Sequence, residues 1–290
     1  MTISSPWNKP MTVKIVTDSL SDLTSDTTSG LGITVVPLTV LFGHESFLDR
    51  VTITTDEFYR QLMHGAIWPT TTQPPPSAFI DVYDRLAEET DEILVITLSK
   101  KLSGTYESAL NAKNLMRKQC RIEVIDSQTV AMGLGLIVLA AAKAIQSGAK
   151  LDEVVKLVHQ TMPRSHFIAY FDTLKYLAKG GRIGKAQGLV GSLLSIKPIL
   201  VIKDGEMAPL TRARSKVAGI DYLYNWVAGF SNIEALAVEH TTVPDDADML
   251  VERFGSFFPK ENIHRSTVSP VLGVHGGPGA IAVTVLEAEK

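Results

Sequence analysis

One cysteine, Cys120, stands alone in 290 residues, which excludes an intrachain disulfide and suits a reducing compartment. Long apolar runs are also missing. The longest uncharged one, residues 131–142, stops at Lys143, short of the roughly 20 residues a membrane-spanning helix needs. Charge of neither sign dominates: 28 basic and 31 acidic residues leave a net charge of −3, so no overall field recruits nucleic acid or an anionic membrane. Residues 1–10 are polar and proline-bearing, without a signal-peptide pattern. The seven histidines show no paired spacing that would suggest a metal site. There is no Walker loop, no dinucleotide fingerprint and no G-x-S-x-G elbow. The expectation is a soluble, cytoplasmic protein without a resident metal or cofactor.

What is present is an alternation. Residues 12–17 (TVKIVT), 33–42 (ITVVPLTVLF), 93–98 (ILVITL) and 121–125 (RIEVI) are short, apolar and β-branched. Between them, residues 56–64, 76–89, 104–118 and 130–147 carry helical spacing. Such alternation predicts a mostly parallel sheet with helices on both faces. The second half mixes patterns differently. Residues 166–174 read as a strand, and Asp204-Gly205 joins residues 198–202 to 207–210 as a hairpin. Residues 211–230 and 245–258 read as helices; residues 233–240, 263–268 and 281–287 read as strands. The fold class is therefore α/β in two domains. Residues 11–163 form a mostly parallel domain, and residues 164–290 an α/β domain with a mixed or antiparallel sheet.

Parallel sheets bind ligands outside the carboxyl ends of their strands, and those ends are polar here. They carry Thr17-Asp18-Ser19, Ser103-Gly104-Thr105 and Asp126-Ser127-Gln128-Thr129, and the loop before a proline-started helix carries Thr71-Thr72-Gln73-Pro74. The Ser103 turn opens a helix, whose first N–H groups and positive dipole end attract an anion; a plain capping role for Ser103 fits equally. If the sheet is parallel, the four turns converge on one crevice. Further along, residues 273–279 (GVHGGPG) set glycines around His275, and Lys179-Gly180-Gly181-Arg182 offers two cations. Arg212 and Arg214 fall at the start of the third-quarter helix, where either suits a bidentate contact to a carboxylate or phosphate. In residues 188–196 (GLVGSLLSI), small residues alternate with Leu189, Val190, Leu193, Leu194 and Ile196. These five line an apolar slot or simply fill a core. A hydrolase built from Ser103 or Ser19 with His275 and Asp18 or Asp126 is a competing reading.

Taken in order, these motifs resemble the DegV family. They are Thr17-Asp18-Ser19 with Asp22-Leu23, Thr71-Thr72-Gln73-Pro74, Leu102-Ser103-Gly104-Thr105-Tyr106, Asp126-Ser127, Gly180-Gly181-Arg182-Ile183 and the glycine-framed His275. The resemblance runs from about Val13 to the C-terminus. One departure stands out: the family's T-S-Q-P-S turn reads Thr71-Thr72-Gln73-Pro74-Pro75 here. The resemblance implies a bacterial fatty-acid-binding protein of two α/β domains, for ligands such as palmitate, stearate or oleate. Some family members are the lipid-binding subunits of fatty acid kinase. They present the carboxylate to a separate, dihydroxyacetone-kinase-like ATP-binding subunit and carry the acyl phosphate onward. It further implies that Thr71, Ser103 and His275 hold the head group, joined in some members by a second-domain arginine, for which Arg212 is the match; Thr72 and the N–H groups of Gly104 and Thr105 beside them are further candidate donors. On this reading no residue makes or breaks bonds, no nucleic acid is involved, and contact with a membrane surface is transient. A lipid sensor without a kinase partner is the third reading.

Overall fold

The computed structural model describes residues 13–189 and 196–289. Strands β1 (Lys14–Asp18), β2 (Ile33–Val36), β6 (Glu92–Thr97) and β7 (Arg121–Asp126) form a four-stranded sheet in the order β2-β1-β6-β7. All of its pairings are parallel. Two-residue alternation sorts the side chains between its faces. Val16, Ile93 and Val95 pack with Phe79, Tyr83, Ala109 and Ala112 of α3 (Pro76–Leu86) and α4 (Thr105–Leu115). Ile15, Leu94 and Ile96 face the opposite way, toward α5 (Met132–Gln146) and α6 (Leu151–Thr161).

Ser165 begins the second sheet. Its strands are β8 (Ser165–Tyr170), β9 (Lys197–Lys203), β10 (Glu206–Ala213), β11 (Ile233–His240), β12 (Ile263–Thr267) and β13 (Ile281–Glu287), ordered β10-β9-β8-β13-β11-β12. Only β11 and β12 pair in parallel. Its outer face, with Ile168, Leu236 and Val283, is covered by α8 (Lys216–Ala228) and α9 (Pro244–Phe254). Its inner face, with Phe167, Ala169, Leu200 and Ala282, joins the same apolar cluster as α5. Helix α5 thus lies between the two sheets, which explains why the run GLGLIVL has no polar face: all seven of these residues are buried.

Several expectations are corrected. Residues 33–42 are not one strand. Pro37 has no N–H for a sheet ladder, so β2 ends at Val36, and β3 (Thr39–Phe42) enters a separate antiparallel sheet, β4-β3-β5. The flanking members are β4 (Glu45–Leu48) and β5 (Thr70–Thr72). The threonines expected in a loop are thus an edge strand, with Thr71 opposite Val40. Residues 211–213 extend β10 as an edge strand instead of opening α8, which begins at Lys216. The glycine-rich stretch around His275 is partly helical: α10 (Pro270–Gly276) starts on Pro270 and stops at Gly277, whose φ of +72° ends the helix. Two short helices, α1 (Ser25–Leu31) and α7 (Lys175–Lys179), and helix α2 (Thr55–His64) complete the elements used below.

Polar bridges fix the turn that leads into α10. Asp22, fully buried, accepts from the Ser269 N–H at 3.2 Å and pairs with Arg50 at 3.0 Å. Arg50 in turn donates to the Thr267 carbonyl at 2.7 Å. The Tyr59 hydroxyl of α2 donates to the Val268 carbonyl at 3.1 Å. A buried charge is tolerated only when paired and hydrogen-bonded in this way, and the consequence is a firm seat for the helix that carries His275.

Candidate functional site

Distant stretches of chain meet in one cleft of about 160 Å³. Its polar side is formed by Thr71, Thr72 and Gln73 at the end of β5, Ser103 before α4, Arg182 after α7 and His275 in α10. Leu20, Leu38, Leu98, Leu102, Val130, Leu177, Met207, Val271 and Leu272 make the apolar wall.

The central contact is between Thr71 Oγ1 and His275 Nε2, 2.9 Å apart. Burial, reinforced by the neighbouring Arg182 guanidinium, pushes the His275 imidazole down to about 4. The ring is therefore neutral at pH 7 and carries one proton. Which nitrogen holds it follows from the hydrogen-bond pattern. His275 Nδ1 is buried without a partner, and a buried N–H without an acceptor is the costlier orphan. We therefore assign the proton to Nε2, which donates it to Thr71 Oγ1. That leaves the Thr71 O–H free to donate into the cleft. The His275 ring is seated against Gly180: a Cβ there would lie 2.2 Å from Nδ1. Only glycine lets α7 close this tightly on the ring.

Ser103 lies just ahead of the α4 N-cap, Gly104. Its hydroxyl oxygen accepts from the Thr105 N–H at 3.3 Å and lies 2.9 Å from Thr105 Oγ1. Ser103 thus holds the first N–H of α4 from the position before the N-cap while its side chain lines the cleft. Gly104 makes room for Gln73, since a Cβ there would come within 2.2 Å of Gln73 Oε1; Gln73 is tied to Ser108 Oγ at 3.1 Å. Arg182 donates from Nε to the Leu102 carbonyl at 3.0 Å and from Nη1 to the Gly180 carbonyl at 2.8 Å. Among the described residues no carboxylate pairs with it, and a guanidinium has further donors to spare. Beneath the apolar wall, Asp18 accepts from the N–H groups of Leu20 (3.0 Å) and Leu98 (2.7 Å). Burial outweighs these bonds and pushes its carboxyl up to about 7.

The structure brings together Thr71, Thr72 and Ser103 with His275, while Gly104 and Thr105 stand directly behind Ser103. Arg212 is elsewhere: it is exposed on edge strand β10, opposite Pro198, and does not line the cleft. Arg214 is likewise exposed. Arg182 is the arginine in the cleft, and its sequence signal was the pair of glycines before it: Gly181, at φ +70°, reverses the chain after α7. The expected convergence of four turns is incomplete. Ser127, Gln128 and Thr129 line a different crevice with His159 and His166, and only Val130 reaches this one. Of the expected apolar slot, Val190, Leu193 and Leu194 lie outside the described residues. Leu189 packs against the main core and Ile196 is half-buried; neither lines the cleft.

The expected serine–histidine–carboxylate array is not assembled from Ser103 or Ser19 and His275. His275 faces a threonine and has no acceptor behind Nδ1, and the Ser19 hydroxyl donates to Asp49 at 2.7 Å. Nor do the described residues hold a cluster of three or more His, Cys, Asp or Glu that could hold a metal ion, or a helix long and apolar enough to cross a membrane. What the cleft offers is hydrogen-bond donors at one end and apolar surface along the rest, a match for an amphiphile with a small anionic head.

The chain matches, over residues 12–288, the family described as "Uncharacterised protein, DegV family". A DegV domain-containing protein of Caldanaerobacter subterraneus subsp. tengcongensis is 38% identical over 275 residues, covering 93% of this chain and 97% of that protein. Among solved structures, one described as fatty acid binding of a DegV family protein from Thermus thermophilus has a TM-score of 0.88 at 32% identity, covering 96% of this chain and 100% of that one. A stearic acid-binding protein from Eubacterium ventriosum has a TM-score of 0.84 at 25% identity, covering 95% and 98%.

Proposed function

The chain belongs to the DegV family, and from that premise we propose that it binds a long-chain fatty acid with its carboxylate at Thr71, Ser103 and Arg182. The observation that carries this reading is the Thr71–His275 pair at 2.9 Å facing the apolar wall. A carboxylate accepts only, so it needs donors. The neutral His275, by donating to Thr71, turns the threonine into one; Ser103 and Arg182 supply others. Burying the head without them would be prohibitive. The tail provides the drive: at roughly 0.8 kcal/mol per buried CH₂, a C16-type chain yields on the order of 12 kcal/mol gross, from which ordering and desolvation costs are subtracted.

The protein, on this proposal, presents the carboxylate to a separate ATP-dependent fatty acid kinase and carries the acyl phosphate away. What supports a non-catalytic role is the chemistry of the donors. The cleft groups bind and orient a carboxylate, and His275, held neutral and bonded to Thr71, is not arranged to activate a serine. ATP and its metal would arrive with the partner.

Lipid extraction and mass spectrometry of the purified protein test the first step, together with titration by palmitate and oleate. A co-purifying fatty acid, or saturable binding weakened by both Ser103→Ala and His275→Ala in folded protein, is expected. Protein that carries no lipid and ignores both acids would sink the proposal. Acyl phosphate formation that requires this chain, a kinase subunit and ATP together tests the second step. Formation by the kinase subunit alone refutes it.

A further inference from the structure

Where the inner face of the second sheet meets the first domain, three carboxyls are buried: Asp22 after β1, Asp49 after β4 and Glu239 on β11. Among the described residues Arg50 is the only cation paired with any of them, and its partner is Asp22. Three carboxylates against one guanidinium would leave uncompensated charge out of water, which is prohibitive. Protons must make up the balance.

Alternation along β11 sends Val238 into the outer apolar cluster and Ala237 into the inner one, so Glu239 points inward and His240 outward. The register neighbours of Glu239, Ser266 on β12 and Ala282 on β13, carry no charge. Facing it are Asp22, Arg50, the Tyr59 hydroxyl of α2 and the first turn of α5. His240, Arg265 and Asp248 interact with one another on the outer side.

Glu239 Oε2 accepts from the Met132 N–H, the first of α5, at 3.0 Å, whereas Oε1 is buried without a donor. Ala131, just before, holds φ +57° and ψ −148°, strain that persists only where the surroundings over-determine it. The Glu239 carboxyl also lies within hydrogen-bonding reach of the Asp22 carboxyl. Two carboxylates in such contact repel, but one proton between them makes a charge-assisted bond. Asp22 keeps its charge, since Arg50 lies 3.0 Å away and the Ser269 N–H donates to it at 3.2 Å. Glu239 has no cation, and burial, followed by the Asp22 charge, raises its carboxyl well above the usual range.

We propose that Glu239 is a positioning residue for the head-group site: it is protonated at pH 7, donates that proton to Asp22, and so completes the brace that seats α10 and His275. Asp22 holds the Ser269 N–H at the start of α10, so whatever orients Asp22 bears on the His275 ring. An ionised Glu239 would push Asp22 away from that turn. The bearing on lipid rests on the fatty acid reading above; the shared proton and the seat of His275 do not.

Two readouts on the lipid-free full chain test the brace. Infrared difference spectra at pH 8.5, above the values to which Asp18 and Asp49 are pushed, should show the C=O band of a protonated carboxyl that Glu239→Gln removes. Proton NMR titration follows the His275 ring, which burial pushes down to about 4. It should be unchanged in Glu239→Gln, whose amide donates to Asp22 and whose carbonyl accepts from Met132. Glu239→Leu keeps the bulk but neither bond, and should move His275 back toward its ordinary value. Oleate affinity should be kept in Glu239→Gln and fall roughly ten-fold in Glu239→Leu. Absence of the band, a His275 titration in Glu239→Leu equal to the parent's, or Glu239→Gln behaving as Glu239→Leu would overturn the proposal. If Glu239→Leu does not fold, the band and the Glu239→Gln titration decide it. A parent that ignores oleate would sink the fatty acid reading and leave the brace to stand or fall on the first two readouts.

Discussion

Gly180→Ala isolates the contact on which the head-group seat depends. Gly180 ends α7 with φ −78° and ψ −5°, a right-handed conformation that alanine adopts freely. Backbone strain is therefore not at issue, and alanine at such a position by itself gains roughly 0.5–1 kcal/mol. The added Cβ, however, would lie 2.2 Å from His275 Nδ1, 2.9 Å from its Cε1 and 3.1 Å from the Tyr176 carbonyl oxygen. Non-bonded carbon contacts settle at about 3.5–4.0 Å, so the ring must retreat by about 1 Å or more. A bond of 2.9 Å to Thr71 does not survive a retreat of that size in an unfavourable direction. Overpacking of this kind costs about 1–3 kcal/mol, and the alanine gain offsets part of it, leaving a net destabilisation of up to about 2.5 kcal/mol, roughly 1 kcal/mol at mid-range. Urea unfolding should show that loss, and oleate titration should show affinity reduced roughly ten-fold or more. Combining the change with His275→Ala vacates the contested space, so the double variant should regain stability but not affinity. Unchanged stability in Gly180→Ala would refute the packing argument. Lost stability with unchanged oleate affinity would refute the placement of His275 behind the head group.

Other consequences are as direct. Thr71→Val keeps the shape but removes the hydroxyl and leaves the buried His275 Nε2–H without its acceptor, so fatty acid affinity should fall about ten-fold and stability by about 1–3 kcal/mol; equal affinity would show that Thr71 donates nothing to the ligand. Asp18 and Asp49 are both pushed up to about 7 by burial. The folded state thus holds their protons more tightly than the unfolded chain. Their contribution to stability is complete below about pH 4 and is lost as pH rises through 7. Asp49→Asn should remove part of that downward slope in urea midpoints measured from pH 4.5 to 8, and an unaltered slope would count against the assignment. The His275 shift has the opposite sign, its contribution being lost as pH falls from about 6.5 toward 4, so the comparison must be between variants and not read from one curve. Trp68 stacks on Tyr176 at 4.7 Å, and Lys179 Nζ sits 3.8 Å from its ring centroid. Trp68→Ala should cost about 1–2 kcal/mol and speed fatty acid release by loosening α7, which carries Leu177; a release rate equal to the parent's would separate α7 from the cleft.

The central strands were legible because burial on both faces leaves them no polar position: β6 reads ILVIT after its first residue, and all five of these residues are buried. The break at Pro37 was harder. Residues on both sides of it are apolar, and hydropathy does not say that two such halves belong to different sheets; only the missing N–H does. Arg212 misled for a physical reason. Edge strands carry charge to discourage further pairing, so the outer arm of the hairpin, β10, looked like the polar start of α8. The chain then placed the expected head-group arginine on an exposed edge.

The cleft itself divides along the same line. Hydroxyls at strand ends can be found by eye, since Thr71 and Ser103 precede helices in a pattern that offers donors. Their partners cannot, because His275 is 204 positions from Thr71 and Arg182 reaches the cleft through a reversal at Gly181. Nor does residue type settle what His275 does. A histidine beside a hydroxyl suits a hydrolase as well as a binding site, and the two differ in the proton on one nitrogen. Gly180 decides between them. By closing α7 on Nδ1 it leaves no place for the carboxylate that a catalytic histidine needs behind it. The imidazole is then held neutral with its proton on Nε2, and a histidine fixed in that form makes Thr71 a donor instead of making Ser103 a nucleophile.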